Sequence, residues 1–196
     1  MIVSSVLSET GLVLATGVSM LWLWRAGWRV CALSLAVLAL AAAAGALEYA
    51  GYSEVAAAHA GLSKWAAAAA FPTFAVLAAW TWLRGEPLPW LAALLFLVLL
   101  ALGEWVAQPG YPTLIGVAGL LALLFVAIGS FRQSRPRAGA ALIAGCVLSA
   151  VAGLAIGTQG SLGGLPRLDW FHLCLAGAQL AYGWGLVRSK AVTYIR

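Results

Sequence analysis

The chain has 196 residues, of which 64% are hydrophobic and only 9% are charged. A soluble domain of this length covers its surface with charged side chains, so this composition excludes the soluble globular classes and predicts an all-α integral membrane protein. The net charge of +5 does not indicate a nucleic-acid partner, because the basic residues sit in short connections between apolar segments, where they set orientation in a bilayer.

Seven segments come close to the roughly 20 apolar residues that a membrane-spanning helix needs. They predict a single domain over residues 1–196, a seven-transmembrane-helix bundle. The predicted spans are about 5–24, 30–50, 65–83, 90–107, 114–131, 138–157 and 170–187. The connections contain turn and breaker residues, as in Arg84 to Pro89 and Gln108 to Pro112, and the longest runs from Gly51 to Lys64.

The basic residues predict the orientation of this bundle. With seven spans, the connections after helices 1, 3 and 5 lie on the same side of the membrane as the C-terminus. That side contains nine Lys and Arg residues: Arg25, Arg29, Arg84, Arg132, Arg135, Arg137, Arg188, Lys190 and Arg196. The other side contains only Lys64 and Arg167. Because Lys and Arg accumulate in cytoplasmic connections, the N-terminus is expected outside and the C-terminus in the cytoplasm.

Helix 6 carries small residues at every fourth position: Ala141, Gly145, Ser149, Gly153 and Gly157. Small residues at this spacing allow two helix backbones to approach closely in lipid. The stripe therefore predicts a seam between helices inside the bundle. A homodimer through Gly145, Ser149, Gly153 and Gly157 is the alternative.

The acidic residues and histidines gather on the predicted outer side. Only Glu86 lies on the cytoplasmic side, whereas the outer side holds Glu9, Glu48, Glu54, Glu104, Asp169, His59 and His172. Asp169 and His172 are three residues apart, so they share one face of helix 7. Ionisable groups at membrane depth usually face the bundle interior and mark functional sites. The candidate site is therefore Glu48, Glu104, Asp169 and His172, whereas Glu9 and Glu54 are interpreted as solvated headgroup residues.

Three chemistries fit such a cluster. A zinc ion would take His172, Asp169 and one or two of Glu48, Glu104 or His59, and would activate a water molecule. Without metal, carboxyl groups in unequal environments would act as an acid and base pair. The third is a proton or cation site of a transporter or sensor that does no chemistry on its ligand.

The start of helix 7 resembles an uncharacterised bacterial seven-helix membrane family in which Asn-Asp-x-x-His opens the last helix. The matching features in this chain are Asp169 and His172 with Gln159 before them, Glu9 in helix 1, Gly45 and Gly51 at the end of helix 2, and Trp65. Such proteins are distantly similar to the alkaline ceramidases and adiponectin-receptor-like proteins, which are zinc hydrolases that cut amide bonds in lipids. The resemblance implies a multi-pass protein of the bacterial inner membrane.

By this resemblance His172 would be a zinc ligand, and Asp169 a ligand or a partner of one. The chain departs from the superfamily at two positions. Ala176 stands where a second helix-7 histidine is expected, and Glu48 stands at the helix-2 histidine position. A site with three histidines therefore cannot be built, and a zinc site here would use His172, Asp169 and Glu48.

A second resemblance concerns Leu47-Glu48-Tyr49 at the end of helix 2. It is similar to the Trp-Glu-Phe signature of small seven-helix membrane terpene cyclases, which protonate a polyprenyl substrate with one glutamate there and one aspartate near the last helix. The corresponding residues would be Glu48 and Asp169, although Gly45 and Leu47 replace the usual asparagine and tryptophan.

Together these patterns predict a membrane-embedded, hydrolase-like enzyme that acts on a lipid or another amphiphile through an outer-side cluster of carboxylates and a histidine. The alternatives are a terpene cyclase or isomerase that works without metal through Glu48 and Asp169, and a transporter or sensor without catalysis. The expected partners are the lipid bilayer and an amphiphilic small molecule.

Overall fold

The computed structural model describes residues 3–106 and 110–189. Several positions named above lie outside these ranges: residue 107 of the fourth predicted span, Gln108, Pro109, Lys190 and Arg196.

The described residues form seven helical segments. Helix 1 is Val3–Arg25, helix 2 Arg29–Ala50, helix 3 Ser53–Arg84, helix 4 Pro89–Val106, helix 5 Tyr111–Arg132, helix 6 Pro136–Ile156 and helix 7 Arg167–Ser189. Five of them, helices 1, 2, 3, 5 and 6, are long and apolar enough to cross a membrane, by length and composition. Helix 4 is apolar but shorter, and helix 7 contains Asp169 and Gln179. The predicted helical bundle with multi-pass membrane character is confirmed at this level.

Three of the helices are not uniform α-helices. Helix 2 consists of Arg29–Ser34 and Ala36–Ala50. Helix 3 consists of a 3₁₀ turn Ser53–Val55, an α-helix Ala56–Trp65, a π-helical turn Ala66–Ala70 and an α-helix Phe71–Arg84. Helix 6 is α-helical over Pro136–Ala150 and π-helical over Val151–Ile156. Before helix 7, β1 (Ser161–Leu162) and β2 (Leu165–Pro166) form a short antiparallel hairpin.

Helix 3 begins well before the residue that hydropathy predicted. The connection from Gly51 to Lys64 was expected to be a loop, yet it is helical from Ser53 onward. Alanine has the highest helix propensity, and residues 56–58 and 60 are alanines. The polar residues in the same stretch lower its hydropathy without preventing the helix. His59 therefore lies on a helix, which fixes the direction of its side chain.

Pro72 explains the π-helical turn of helix 3. A proline inside a helix lacks the N–H that would bond to the carbonyl four residues earlier, and its ring clashes with that carbonyl. The position four residues before Pro72 is Ala68, in the middle of the turn Ala66–Ala70. The helix absorbs the proline by widening for one turn, and it then continues to Arg84.

Six helices form a ring in the order 1, 2, 3, 5, 6 and 7, and helix 7 packs against helix 1 to close it. Helix 4 lies outside this ring, mainly against the π-helical turn of helix 3. Helices 1 and 7 run parallel, because Ser5 contacts Asp169 near their starts and Ser19 contacts Gln179 further along both. Successive helices therefore alternate in direction.

The two halves of the bundle differ in packing. We call the half that contains Arg25, Arg84, Arg132 and Arg188 the basic half, and the half that contains Glu9, Glu48 and Asp169 the acidic half. The packed core lies in the basic half and includes large side chains that are at most 1% exposed: Leu23, Trp28, Phe74, Leu123, Leu142, Tyr182 and Leu186. The acidic half contains a cavity instead.

The small-residue stripe of helix 6 begins against helix 7. A Cβ atom added at Gly145 would lie 2.5 Å from Cε1 of Tyr182. Ser149 Oγ and the Tyr182 hydroxyl form a hydrogen bond of 2.9 Å. Gly145 and Ser149 therefore pack inside the bundle. A homodimer through the stripe remains a prediction, and these two residues are already in contact with helix 7.

Candidate functional site

Glu9 is the centre of the polar cluster in the acidic half. Helix 1 carries it two turns from its start, and the residue is only 1% exposed. Its Oε1 atom lies 3.5 Å from Nδ1 of His172 and 3.7 Å from Nε2 of His59. A carboxylate is costly to bury unless charges or hydrogen-bond donors surround it. Two imidazoles, from helix 3 and helix 7, face it across these distances.

His59 connects Glu9 to Glu48. A hydrogen bond of 2.6 Å joins His59 Nδ1 and Glu48 Oε2, and the Tyr49 ring meets the imidazole edge-on at a centroid distance of 5.8 Å. With Glu48 ionised, Nδ1 carries the proton and Nε2 is directed towards Glu9. The side chain of Glu48 is 31% exposed and that of His59 is 15% exposed. The contacts thus lead from the surface to buried Glu9 and then to His172.

Asp169 lies beside this chain of contacts and is held by helix 1. Its Oδ1 atom accepts hydrogen bonds from Ser5 Oγ at 2.7 Å and Ser8 Oγ at 3.3 Å. The residue is 2% exposed, and Oδ2 has no hydrogen-bond partner among the described residues. Asp169 and His172 do share one buried face of helix 7, but Asp169 is directed towards helix 1.

Gly45 makes room for the cluster. A Cβ atom at this position would overlap Oε1 of Glu9 and would lie 2.9 Å from His59 Nε2. Helix 2 can therefore approach helix 1 at Glu9 only because residue 45 has no side chain.

Glu104 lies apart from the other predicted site residues. Its Oε2 atom accepts a hydrogen bond of 2.7 Å from Lys64 Nζ, and the two side chains are 53% and 56% exposed. Of the four predicted side chains, Glu48 and His172 are therefore connected through His59 and Glu9. Asp169 lies beside them on the serines of helix 1, and Glu104 is not part of the cluster. The reason is that helix 4, which carries Glu104, packs outside the ring.

A cavity of about 340 Å³ adjoins the cluster. Six helices contribute to its wall, and no described residue of helix 4 is among the lining residues. One part of the wall is ionisable and consists of Glu9, His59 and His172, and further polar groups come from Ser149 and Gln179. Most of the remaining lining is apolar and includes Leu12, Leu38, Phe71, Leu120, Phe171 and Leu175. Both π-helical turns reach it, through Ala66 and Ala67 of helix 3 and Gly153 and Leu154 of helix 6. An apolar cavity with a few convergent polar groups is the usual form of a small-molecule site.

Three polar atoms of cavity-lining residues have no hydrogen-bond partner among the described residues. They are Glu9 Oε1, His172 Nδ1 and Gln179 Oε1, and their residues are 1%, 7% and 1% exposed. Buried polar groups in proteins are nearly always hydrogen-bonded, to protein, water or ligand. All three atoms are enclosed by protein, so their missing partners belong to the interior of the side-chain cluster and not to the open surface of the cavity.

The residues present do not fit the zinc site implied by the resemblance. In the ranges that the structure describes, no group of three or more His, Cys, Asp or Glu side chains is placed to hold a metal ion. The expected set is divided between different partners, because Glu48 binds His59, Asp169 binds two serines, and only His172 faces Glu9. We therefore derive no step through zinc.

Sequence reasoning missed the central residue and one of its partners. Glu9 was assigned to the headgroup region, yet the buried polar residues of helix 1 fall on one face at helical spacing: Ser5, Ser8, Glu9, Thr16 and Ser19. That periodicity was a usable signal. His59 was named only as an optional zinc ligand and not as a partner of Glu9, because its segment was expected to be a loop.

Comparisons of this chain with family models, with curated proteins and with solved structures gave no match.

Proposed function

We propose that the protein is a membrane-embedded enzyme that performs acid–base chemistry on an amphiphile held in the cavity. The observation that carries this proposal is the position of Glu9, buried between two imidazoles in the wall of a largely apolar cavity. The apolar wall suits a hydrocarbon chain, and the three ionisable groups suit the reacting polar end. Histidine is the commonest general acid or base, and a carboxylate beside it orients the ring and stabilises its protonated form.

The arrangement suits hydrolysis without a metal. Hydrolysis needs a base that takes a proton from water and an acid that gives a proton to the leaving group. His59 and His172 both face Oε1 of Glu9, so one imidazole can accept a proton while the other donates one. In this proposal His172 and His59 exchange protons with substrate and water, Glu9 balances the charge, and Glu48 orients His59.

The cyclase or isomerase alternative assigned the chemistry to Glu48 and Asp169. Neither residue is among those that line the cavity, so their carboxyl groups would have to act through His59 or Glu9. We therefore place the proton transfers of any isomerase reaction on Glu9 and the two histidines. The proposal differs from both resemblances in this respect.

A proton-coupled transporter is the second candidate. It is favoured by the continuous path from half-exposed Glu48 through His59 and Glu9 to His172. Such chains of ionisable groups serve as proton relays in membrane transporters. The two candidates differ in one measurable respect, because only the enzyme changes its ligand chemically.

The finer topology belongs to the proposal as well. We propose that all seven helices cross the membrane, with the N-terminus outside and the C-terminus in the cytoplasm of a bacterial inner membrane. The distribution of Lys and Arg supports this orientation, and the alternation of helix directions supports termini on opposite sides of the membrane.

The test is turnover by purified protein in vesicles of mixed lipids, followed by mass spectrometry of the lipids. The wild-type protein is expected to convert one lipid class, and a chelator such as EDTA is expected to have no effect. Glu9→Gln removes the ionisable carboxyl group between the imidazoles and should lower turnover by about 100-fold or more, the usual size of a lost acid–base group. Glu104→Gln is the matched control, since it makes the same change at an exposed glutamate, and it should retain full turnover.

Three outcomes would contradict the proposal. Chelator-sensitive turnover would indicate a metal enzyme. Full turnover by Glu9→Gln would remove Glu9 from the chemistry. Proton-coupled uptake with the ligand unchanged would establish the transporter.

A further inference from the structure

The cavity wall includes segments of helices 5 and 6 that are exposed at the surface of the bundle, and we take the space between them as its opening. Thr113, Gly116 and Val117 of helix 5 line it on one side, and Gly153 and Leu154 of helix 6 line it on the other. Val117 is 41% exposed and Leu154 is 71% exposed, so residues of the cavity wall reach the outer surface here.

The gap has a structural cause. Helix 5 packs against the α-helical part of helix 6, whereas the π-helical part, Val151–Ile156, packs against helix 7 and makes no extended contact with helix 5 in the described ranges. The two helices therefore touch in the basic half and diverge in the acidic half. Gly116 and Gly153 widen the opening, because a Cβ atom at either position would meet no other atom within 4 Å.

The surface around this opening is apolar. Large hydrophobic side chains on the outer faces of both helices are exposed: Leu114, Leu121, Phe125, Val147 and Val151. In a bilayer these side chains face lipid tails, so the opening leads to the hydrocarbon region and not to water.

The polar groups of the cavity restrict the head group that fits. None of the described residues that line it is a lysine or arginine, although phosphate is usually bound by those residues. The polar residues in its wall include His59, Ser149 and Gln179, whose side chains carry hydrogen-bond acceptors. A neutral or cationic head group with O–H or N–H donors matches them, whereas an anionic one finds no lysine or arginine among the described lining residues.

We infer that the ligand is an amphiphile with a single apolar chain and a neutral or cationic, hydrogen-bond-donating head, and that it moves from the bilayer into the cavity between helices 5 and 6. A volume of about 340 Å³ is at the lower end of ligand pockets, which favours one chain over two. This inference rests on the proposed function in treating the cavity as the substrate site, but it concerns binding and not turnover.

The first test measures selectivity with photoreactive probes. The full chain is reconstituted in phosphatidylcholine vesicles and labelled with diazirine derivatives of dodecylamine, dodecanol and dodecyl phosphate, and the labelled peptides are mapped by mass spectrometry. The amine and the alcohol should label helices 5, 6 and 7 within the cavity, and the phosphate about tenfold less, because the described lining residues offer it no lysine or arginine. Equal labelling by the phosphate, or labelling only on the outer surface of the bundle, would overturn the inference.

The second test blocks the opening. Gly116→Trp and Gly153→Trp should each reduce labelling of the cavity by dodecylamine several-fold, whereas Gly17→Trp, a helical glycine with equal space around it outside the cavity lining, should not. To separate blocking from misfolding, Gly153→Cys is reconstituted first and then modified with a bulky maleimide, with wild-type protein as the control for its own cysteines.

Unchanged labelling after this modification, or after both tryptophan substitutions, would exclude the route between helices 5 and 6. The two proposals can fail separately. Loss of turnover in Glu9→Gln with no effect at the opening would contradict only this inference, and selective labelling with no turnover would contradict only the enzyme.

Discussion

At the scale of single residues, the molecule keeps a carboxylate where it is costly to keep one. Glu9 is 1% exposed, and its Oε1 atom has no hydrogen bond among the described residues. An unpaired buried polar group costs about 1–3 kcal/mol, and more when it is charged. Holding such a group in the interior lowers the stability of the folded protein, and proteins typically retain it at functional sites. Gly45 helps to hold Glu9 in place, since only a residue without a side chain fits there.

Gly45→Ala tests this arrangement. The added methyl group would overlap the Glu9 carboxylate and crowd His59, so it should displace both side chains, reduce turnover, and lower the free energy of unfolding by about 1–3 kcal/mol, as overpacking does. Thermal unfolding and turnover of the purified protein measure both effects. Gly17→Ala is the control, because its Cβ meets nothing within 4 Å and alanine favours a helix interior by about 0.5–1 kcal/mol. If Gly45→Ala is as stable and active as wild type, Glu9 is not held as described.

At the scale of elements, the two π-helical turns decide the shape of the site. One lies in helix 3 at Ala66–Ala70 and the other in helix 6 at Val151–Ile156, and residues from both line the cavity. A π-helical turn is wider than an α-helical one and is less favourable, so it is commonly retained where it serves a site. In helix 3 the wider turn also rotates the side chains that follow it relative to those that precede it. His59 therefore faces helix 1 while Phe74 lies in the packed core.

Pro72→Ala should allow helix 3 to return to a regular α-helix. Restoring the missing N–H removes the cause of the wide turn, so we expect stability to be unchanged or higher, and binding of the dodecylamine probe to weaken as Ala66 and Ala67 move. Thermal unfolding and photolabelling measure the two quantities. Pro136→Ala is the control, because Pro136 is at the start of helix 6, where proline is tolerated. Unchanged labelling by Pro72→Ala would mean that the turn has no part in forming the cavity.

At the scale of the whole molecule, a packed half supports an open half. The large buried side chains gather in the basic half, and the cavity and its ionisable groups occupy the acidic half. Without a hydrophobic driving force between helices in lipid, close packing provides most of the association energy. The basic half can therefore hold the ring of six helices together while the acidic half remains open between helices 5 and 6. Helix 4 adds no wall to the cavity, which explains why its glutamate is not part of the cluster.

Labelling of single cysteines tests the topology at this scale. In intact cells, Ser161→Cys in the hairpin before helix 7 should react with a membrane-impermeant maleimide, because that end is expected outside. Gln133→Cys, between helices 5 and 6, should react only after the membrane is permeabilised. Wild-type protein is the control, since Cys31 and Cys146 are buried and Cys174 is partly buried. The reverse pattern of reactivity would invert the proposed orientation.

Much of the fold could be predicted from the sequence, but only part of the site. Six of the seven predicted spans agree with the helices to within three residues at each end where the structure describes them, because transfer of a segment into lipid depends on its own composition. Helix 3 is the exception, since the polar residues around His59 hid an alanine-rich helical start. For the candidate site, residue type and predicted depth in the membrane singled out Glu48, Asp169 and His172 in the sequence, but they did not single out Glu9.

The sequence by itself determined that the chain is a helical membrane bundle and that its histidines and all its acids except Glu86 share one end. Hydropathy is a local property of each segment, and helix direction simply alternates along the chain. The tertiary structure decided which of those groups meet. Helix order in the ring, and the rotation of each helix within it, depend on packing between segments far apart in the chain. That packing turned Glu9 inward beside His59 and His172, and it left Glu104 outside with Lys64, although all these residues lie near the same end of the bundle.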